Sequence, residues 1–321
     1  MLPCNSRIIG TGSYLPSKIL TNADLETMVE TTNDWIIERT GIEQRHLVDN
    51  ETTCDIAYQA AIKAIEAANI STDAIDLIIV ATSTQDSIMP STACYLQNRL
   101  GIKVARGAFD MQAACSGFVY ALSVADSMIK NGLANNALIV GADVMSRVID
   151  YTDRNTCILF GDGAGAVVLA KSETPGILAA KIYSDSSCTD ILNCDARISS
   201  GKVVGTPYIS MDGQAVFRFA VKSLSAITKE LVAEAGYQIS DIDWIVPHQA
   251  NMRILEAIAK VLKFPVEKVI STVQSHGNTS AASMPLALDT AVRNNTIKPN
   301  DLLLLKGVGA GFTWGGLLIR Y

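Results

Sequence analysis

The feature that most limits the fold is that the chain holds the same ordered series of segments twice. Ile75-Asp76-Leu77-Ile78-Ile79-Val80 returns as Ile242-Asp243-Trp244-Ile245-Val246, and each run leads through a polar loop into a helical pattern. Ala137-Leu138-Ile139-Val140-Gly141 returns as Leu302 to Gly307. Gly161-Asp162-Gly163-Ala164-Gly165 leads into the strand-like Ala166 to Ala170, as Gly309-Ala310-Gly311 leads through Phe312 into Gly316 to Arg320. Ordered echoes half a chain apart mark a duplicated unit. The turn-forming stretch Ser172 to Gly176 divides it, giving halves of residues 1–173 and 174–321.

Asp76 to Ala81 is a continuous apolar run, the pattern of a strand buried on both faces. Arg7 to Gly10 and Gly107 to Met111 read as further strands. Cys54 to Ala68 carries apolar residues at Ile56, Ala57, Ala60, Ala61, Ala64, Ile65 and Ala68, which is helical spacing. Ser91 to Leu100 reads as a helix, and Gly213 to Ala235 as a long one with Val216, Ala220, Leu224, Ile227 and Leu231 on one face. Buried strands alternating with helices predict an α/β fold with mostly parallel sheets. Charged residues make up 18% of the chain, below the ~25% of an average globular protein, so a large interior is expected.

Composition also removes function classes. The net charge of −6 disfavours a general affinity for nucleic acid. Seven cysteines without a C-x-x-C spacing, and no visible secretory signal, predict free thiols in a reducing cytoplasm. The three histidines, His46, His248 and His276, form no H-x-x-x-H pair, so no metal site is expected. The uncharged run Met111 to Ala125 stops at 15 residues, short of the ~18 of a membrane span.

Cys115 is the leading nucleophile candidate. Ala113-Ala114-Cys115-Ser116-Gly117 follows a strand and precedes a helical pattern through Phe118, Ala121, Leu122, Ala125 and Met128. Small residues suit a sharp strand-to-helix turn, by analogy with the hydrolase nucleophile elbow. A helix N-terminus there is expected to favour the thiolate. A small buried core cysteine is the plain alternative. His248 lies at the exit of the strand Trp244 to Val246, where α/β enzymes place ligands, and Asn278 in a small polar loop before another helix. Taken alone, each fits a loop or cap residue better than a catalyst; together with Cys115 they make an ordered Cys, His, Asn set. A papain-like protease shares that order, but its C-G-[SA]-C-[WY] signature is absent. The glycine-rich segments do not match the nucleotide loop G-x-x-x-x-G-K-[ST].

Over essentially its whole length the chain resembles the 3-oxoacyl-acyl-carrier-protein synthase III family of the thiolase superfamily. The markers are Ile9-Gly10-Thr11-Gly12-Ser13-Tyr14-Leu15-Pro16, Trp35 with Arg39-Thr40-Gly41-Ile42, Ala114-Cys115-Ser116-Gly117-Phe118 and Phe160-Gly161-Asp162-Gly163-Ala164-Gly165. Pro247-His248-Gln249-Ala250-Asn251, Gly277-Asn278-Thr279-Ser280 and Gly311-Phe312-Thr313-Trp314-Gly315 continue the series. The resemblance implies a duplicated α-β-α-β-α layered fold and a homodimer. Asn278 as the third member points to the initiating type, since elongating relatives resemble Cys-His-His and thiolases Cys-His-Cys.

The resemblance also implies an activity and the residues that serve it. The enzyme would start fatty-acid synthesis by condensing an acyl-CoA, acetyl-CoA in the first instance, with malonyl-acyl-carrier protein through an acyl-Cys115 intermediate. No metal or redox cofactor is expected. His248 and Asn278 would stabilise an enolate, and the backbone N–H groups of Cys115 and Ala310 an oxyanion. Ala310 stands where glycine is common, so the hole survives if that residue needs no positive φ. Thr31, Trp35, Arg39 and Arg154 would bind the CoA nucleotide, with the adenine between Trp35 and Arg39, and Gly213 and Asn251 the pantetheine arm. Met89 would lie at the end of the acyl pocket, contributed across the dimer. Asn251 to Phe264 reads as a helix with Arg253, Lys260 and Lys263 on one face, extended by Arg218 and Lys222; this basic collar would dock the acidic carrier protein. A CoA-dependent acyltransferase or specialised-metabolite condensing enzyme on the same scaffold is the alternative, and a catalytically silent binding homologue a more distant one.

Overall fold

The structure, a computed structural model, describes residues 4–321. Two sheets form its frame. The first has the strand order Asn5–Tyr14, Gly163–Ser172, Asn136–Asp143, Leu77–Ala81, Gly107–Met111. The second runs Ile177–Ser184, Thr313–Arg320, Leu302–Gly309, Trp244–Pro247. A parallel bridge from Ile245 to Val269 stands where its fifth strand would be. Counterpart strands occupy counterpart places, so the echoes in the sequence become two sheets of the same connectivity. Gly163–Ser172 closes the first and Ile177–Ser184 opens the second.

Packing explains the apolar runs. Leu77, Ile79 and Ala81 face a central layer with the helices Gly117–Lys130 and Ser283–Arg293, while Ile78 and Val80 face the outer helix Thr53–Ala68. Leu303 and Leu305 face the same central layer, and Leu302 and Leu304 the outer helices Gly213–Glu234 and Met252–Leu262. Successive strand residues point to opposite faces, and both faces are covered, so neither parity can be polar. Helix, sheet, helix, sheet, helix is the resulting five-layer stack.

Three expectations need correction. The sheets are mixed rather than mostly parallel: the ladders 5–14/163–172, 136–143/163–172, 302–309/313–320 and 177–184/313–320 are antiparallel. Leu302–Gly309 returns directly as Thr313–Arg320, and so short a link permits only an antiparallel pair. The first strand extends to Tyr14, well beyond Gly10. The helix beginning near Asn251 ends at Leu262, because Lys263 takes a left-handed conformation (φ 53°) and caps it. No element was anticipated over residues 186–211, which form two small antiparallel pairs, Leu192–Asn193 with Ser210–Met211 and Ala196–Ser199 with Lys202–Gly205.

The basic side chains of Arg45 and Lys306 lie in the interior, and Lys306 is the one that burial brings near neutrality. Lys306 is fully buried; its Nζ donates to Thr228 Oγ1 (2.9 Å) and Leu224 O (3.5 Å). Burial pushes its ammonium from 10.5 down to about 7. Between these values the unfolded chain binds a proton that the native state lacks, so Lys306 makes stability rise with pH from about 7 to 10.5. Thr228 keeps its own bond to Leu224 O without the lysine. Lys306→Met is therefore expected to raise stability at pH 7 by ~1–3 kcal/mol, the scale of a buried polar group short of partners. The advantage should shrink as pH rises toward 10. Denaturant unfolding at several pH values measures both; a destabilised variant at pH 7 would contradict the reading.

Candidate active site

The turn carrying Cys115 is strained and braced. Strand Gly107–Met111 ends, Ala114 takes a left-handed φ of 46°, and Cys115 sits in a single 3₁₀ turn before the helix Gly117–Lys130. A non-glycine residue in that region costs roughly 1–2 kcal/mol. The second half supplies the brace. Thr313 Oγ1 lies 2.8 Å from Ser116 Oγ and donates toward the carbonyls of Ala113 and Ala310 at 3.1 Å each. Gly309 presses its backbone on the turn: a Cβ there would lie 2.7 Å from Cys115 N and 2.9 Å from Ala113 O.

His248 follows strand Trp244–Pro247, and its N–H continues the ladder to Lys306 O (2.8 Å). The ring is buried, with Nδ1 2.6 Å from Ser283 Oγ. Burial pulls its pKa down to about 4, so the imidazole is neutral at pH 7. Asn278 is held by its N–H to Leu159 O (2.9 Å). Its Oδ1 accepts Ser280 N–H at 3.0 Å, which leaves the amide NH₂ for the cavity. This loop can reach the first sheet because Gly141 has no side chain; a Cβ would lie 2.3 Å from Ala281 O. Buried Asp143 then ties it down, accepting from Ser83 N (2.7 Å), Ala281 N (3.1 Å) and the hydroxyls of Thr82 and Thr84.

Cys115 stands where two cavities meet. A narrow one, about 110 Å³, is lined by His248, Asn278, Gly213, Asn251 and Phe312. A wider one, about 400 Å³, is lined by Ala310, Ser280, Gln85, Met145 and Val148. The thiol donates to Ser280 Oγ at 3.6 Å. Burial pushes it up to about 12, so the expectation of a resting thiolate is corrected. A helix terminus contributes at most ~2 kcal/mol, and desolvation outweighs it.

Known proteins share this fold. A family model described as 3-Oxoacyl-[acyl-carrier-protein (ACP)] synthase III matches residues 109–186, and its C-terminal counterpart residues 232–321. The beta-ketoacyl-[acyl-carrier-protein] synthase III of Neisseria meningitidis serogroup B strain MC58 is 54% identical over 317 residues, covering 98% of this chain and 99% of the relative. The chain belongs to the 3-oxoacyl-[acyl-carrier-protein] synthase III family. The crystal structure of the Aquifex aeolicus synthase III superposes with a TM-score of 0.93 at 46% identity, covering 99% of this chain and 100% of that one. The priming β-ketosynthase of the R1128 polyketide pathway gives 0.91 at 35% identity, covering 98% and 96%.

The other residues anticipated for this family lie in different places. Trp35, Arg39 and Arg154 cluster on the surface, with Arg154 4.8 Å and Arg39 5.7 Å from the indole centroid, so Arg154 rather than Arg39 is the nearer cation. Thr31 Oγ1 is buried, and among the described residues it has no hydrogen-bond partner. Asn251 caps the helix Met252–Leu262, and its side chain ties to Arg39 O at 3.0 Å. Ala310 has no positive φ, so its methyl group brings no strain. Met89 is 79% exposed and lines neither of these two cavities.

The basic set is divided. Arg253 and Lys260 lie exposed on one helix, with Glu256 also exposed between them. Lys263 does not share that face by helical spacing, because it is the left-handed cap. Arg218, Lys222 and the unanticipated Lys229 rim an apolar groove with Phe217, Val221 and Val261. Sequence reasoning also missed Ser280 and Asp143, whose parts depend on contacts between the halves, Ser283, which meets His248 within the second half, and Leu192, Cys194 and Ile209, which line the wider cavity. The adjacent small residues of the Asn278 loop were the one available signal for the serines.

Proposed function

We propose that this protein starts fatty-acid synthesis by condensing an acyl-CoA, acetyl-CoA in the first instance, with malonyl-acyl-carrier protein. The observation that carries the reading is the position of Cys115 between a narrow channel holding the His248 and Asn278 donors and a wider pocket bordered by Ala310. The channel suits a pantetheine arm entering past Gly213 and Asn251, and the wider pocket an acyl chain. Trp35, Arg39 and Arg154, with the Thr31 hydroxyl that has no partner among the described residues, suit the CoA nucleotide.

The reaction has two halves. Cys115 sulfur attacks the thioester carbonyl as its proton leaves; the tetrahedral oxyanion is met by the N–H groups of Cys115 and Ala310, and CoA departs as the thiol. Among the described residues, neither N–H is taken up by a loop or turn carbonyl. Malonyl-carrier protein then loses CO₂, and the electrons of the broken C–C bond form the enolate. Neutral His248 and the Asn278 amide donate to its oxygen. The enolate carbon attacks the acyl-cysteine and the C–S bond breaks, giving the 3-oxoacyl-carrier protein and the Cys115 thiolate, which takes up one proton from solvent to return to the thiol. These steps balance without a metal or redox cofactor.

The same surfaces suggest the partners. Strand Gly107–Met111 is a free sheet edge, an invitation to pairing. The loop beside it, tied by Thr92 N–H to Asp110 (2.7 Å), exposes Ile88 and Met89 at 71% and 79%. A second copy of this chain paired at that edge would cover both residues and bring Met89 near the partner's acyl pocket. The acidic carrier protein would dock on Arg218, Lys222, Arg253 and Lys260, with Lys263 at the edge. The seven free thiols suit a cytoplasmic setting, and among the described residues no helix is long and apolar enough to cross a membrane. The polyketide-priming relative supports the alternative of specialised metabolism, but less closely, at 35% identity against 54%.

Two experiments test this. His248→Ala and Asn278→Ala should still form the acyl-enzyme but lose roughly 10²–10³ in malonyl decarboxylation, the effect of removing one donor to a developing oxyanion. Equal loss of both half-reactions would make them part of nucleophile activation. Reversing Arg253 and Lys260 to Glu should raise the KM for malonyl-carrier protein and flatten its salt dependence, while leaving acylation by acetyl-CoA nearly as it was. An unchanged KM and salt profile would remove the docking surface.

A further inference from the structure

Ser283, the first residue of the helix Ser283–Arg293, is 2% exposed. Its hydroxyl meets two groups: Gln249 N–H donates to Oγ at 3.2 Å, and His248 Nδ1 lies 2.6 Å away. Gln249 is itself pinned, its Nε2 donating to Pro247 O (2.8 Å) and Ile270 O (3.1 Å) and its Oε1 accepting Thr272 N–H (2.8 Å). The Gln249 N–H therefore keeps its aim, and Oγ is an acceptor for it. Among the described residues, the serine's own proton has one acceptor in reach, His248 Nδ1.

A neutral imidazole carries a single N–H. If Nδ1 held it, Ser283 Oγ would receive two donors and its own proton would have no acceptor in a buried site, an omission of ~1–3 kcal/mol. With the serine donating, all three groups are satisfied and the ring proton resides on Nε2, on the side of the cavity. We propose that Ser283 is a positioning residue for the condensation, fixing the His248 tautomer whose Nε2–H faces the substrate. The proposal rests on the reading of His248 as an enolate donor. It adds that His248 has no lone pair for the Cys115 proton, so the ring acts as a donor and never as the base.

The test uses Ser283→Ala and Ser283→Thr in the full-length protein, with His248→Ala as the reference. Acylation by acetyl-CoA and decarboxylation of malonyl-carrier protein are followed separately, and ring ¹⁵N shifts are recorded for the three histidines. Wild type should show His248 with a protonated Nε2 and a bare Nδ1. Ser283→Ala should mix the tautomers and lower decarboxylation roughly 10–100-fold, the scale known for losing the partner that orients a metal-ligating histidine. Acylation should fall far less, and threonine should restore most of the loss. A protonated Nδ1 in wild type would overturn the proposal, and this spectrum decides even if Ser283→Ala does not fold. Full decarboxylation by Ser283→Ala, beside a deficient His248→Ala, would overturn it while leaving the enolate reading intact. Full decarboxylation by His248→Ala would overturn both.

Discussion

The site depends on a backbone contact between the two halves. Gly309 lies against the Cys115 turn so closely that no side chain fits between them. Ala114 on the other side of the turn is held in a left-handed conformation. Neither half completes this arrangement alone: one supplies the strand, the turn and the elbow helix, the other the hairpin that presses on them. Thr313 joins the two through Ser116, Ala113 and Ala310. The strain at Ala114 persists because packing and hydrogen bonds over-determine the turn. Once the turn is fixed, so are the positions of the Cys115 and Ala310 N–H groups.

Burial then sets the chemistry. It pushes the Cys115 thiol up to about 12 and the His248 imidazole down to about 4, so both are neutral at pH 7. The proposed reaction develops negative charge twice, on a tetrahedral oxygen and on an enolate. Fixed dipoles meet it each time: two backbone N–H groups in the first case, an imidazole and an amide in the second. Dipoles oriented in advance need no reorganisation as charge appears, which is where such sites gain most of their rate. The same burial makes the hydrogen bonds behind the donors, from Ser283 and Ser280, matter more than they would in water.

Much of this was legible in the sequence, and the unread parts share a cause. Apolar runs such as 76–81 and 302–305 disclosed strands covered on both faces, and their repetition disclosed the duplication. Cys115, His248 and Asn278 were legible because each follows or precedes a recognisable element. Strand direction was legible only where a link is too short for a crossover, as between Leu302–Gly309 and Thr313–Arg320; elsewhere an antiparallel return and a crossover leave similar local patterns. The length of the helix after Asn251 was misjudged because Lys263 gives no signal that it will take a left-handed cap. The thiol's ionisation was misjudged because burial is a tertiary property, while the helix terminus is a local one. Asp143 looks like an ordinary strand residue until the halves are brought together, and Ser283 like an ordinary helix start until the packing of its own half sets it against His248.

The central claim is that Cys115, placed by this contact, carries the acyl group between two substrates. Intact-mass measurement tests it most directly, on wild type and Cys115→Ala, first with acetyl-CoA and then with malonyl-carrier protein. The account predicts one acetyl group on the wild type, discharged as acetoacetyl-carrier protein when the second substrate arrives, and none on the folded variant. Acetylation of Cys115→Ala, or a wild-type acetyl group that malonyl-carrier protein does not remove, would contradict it.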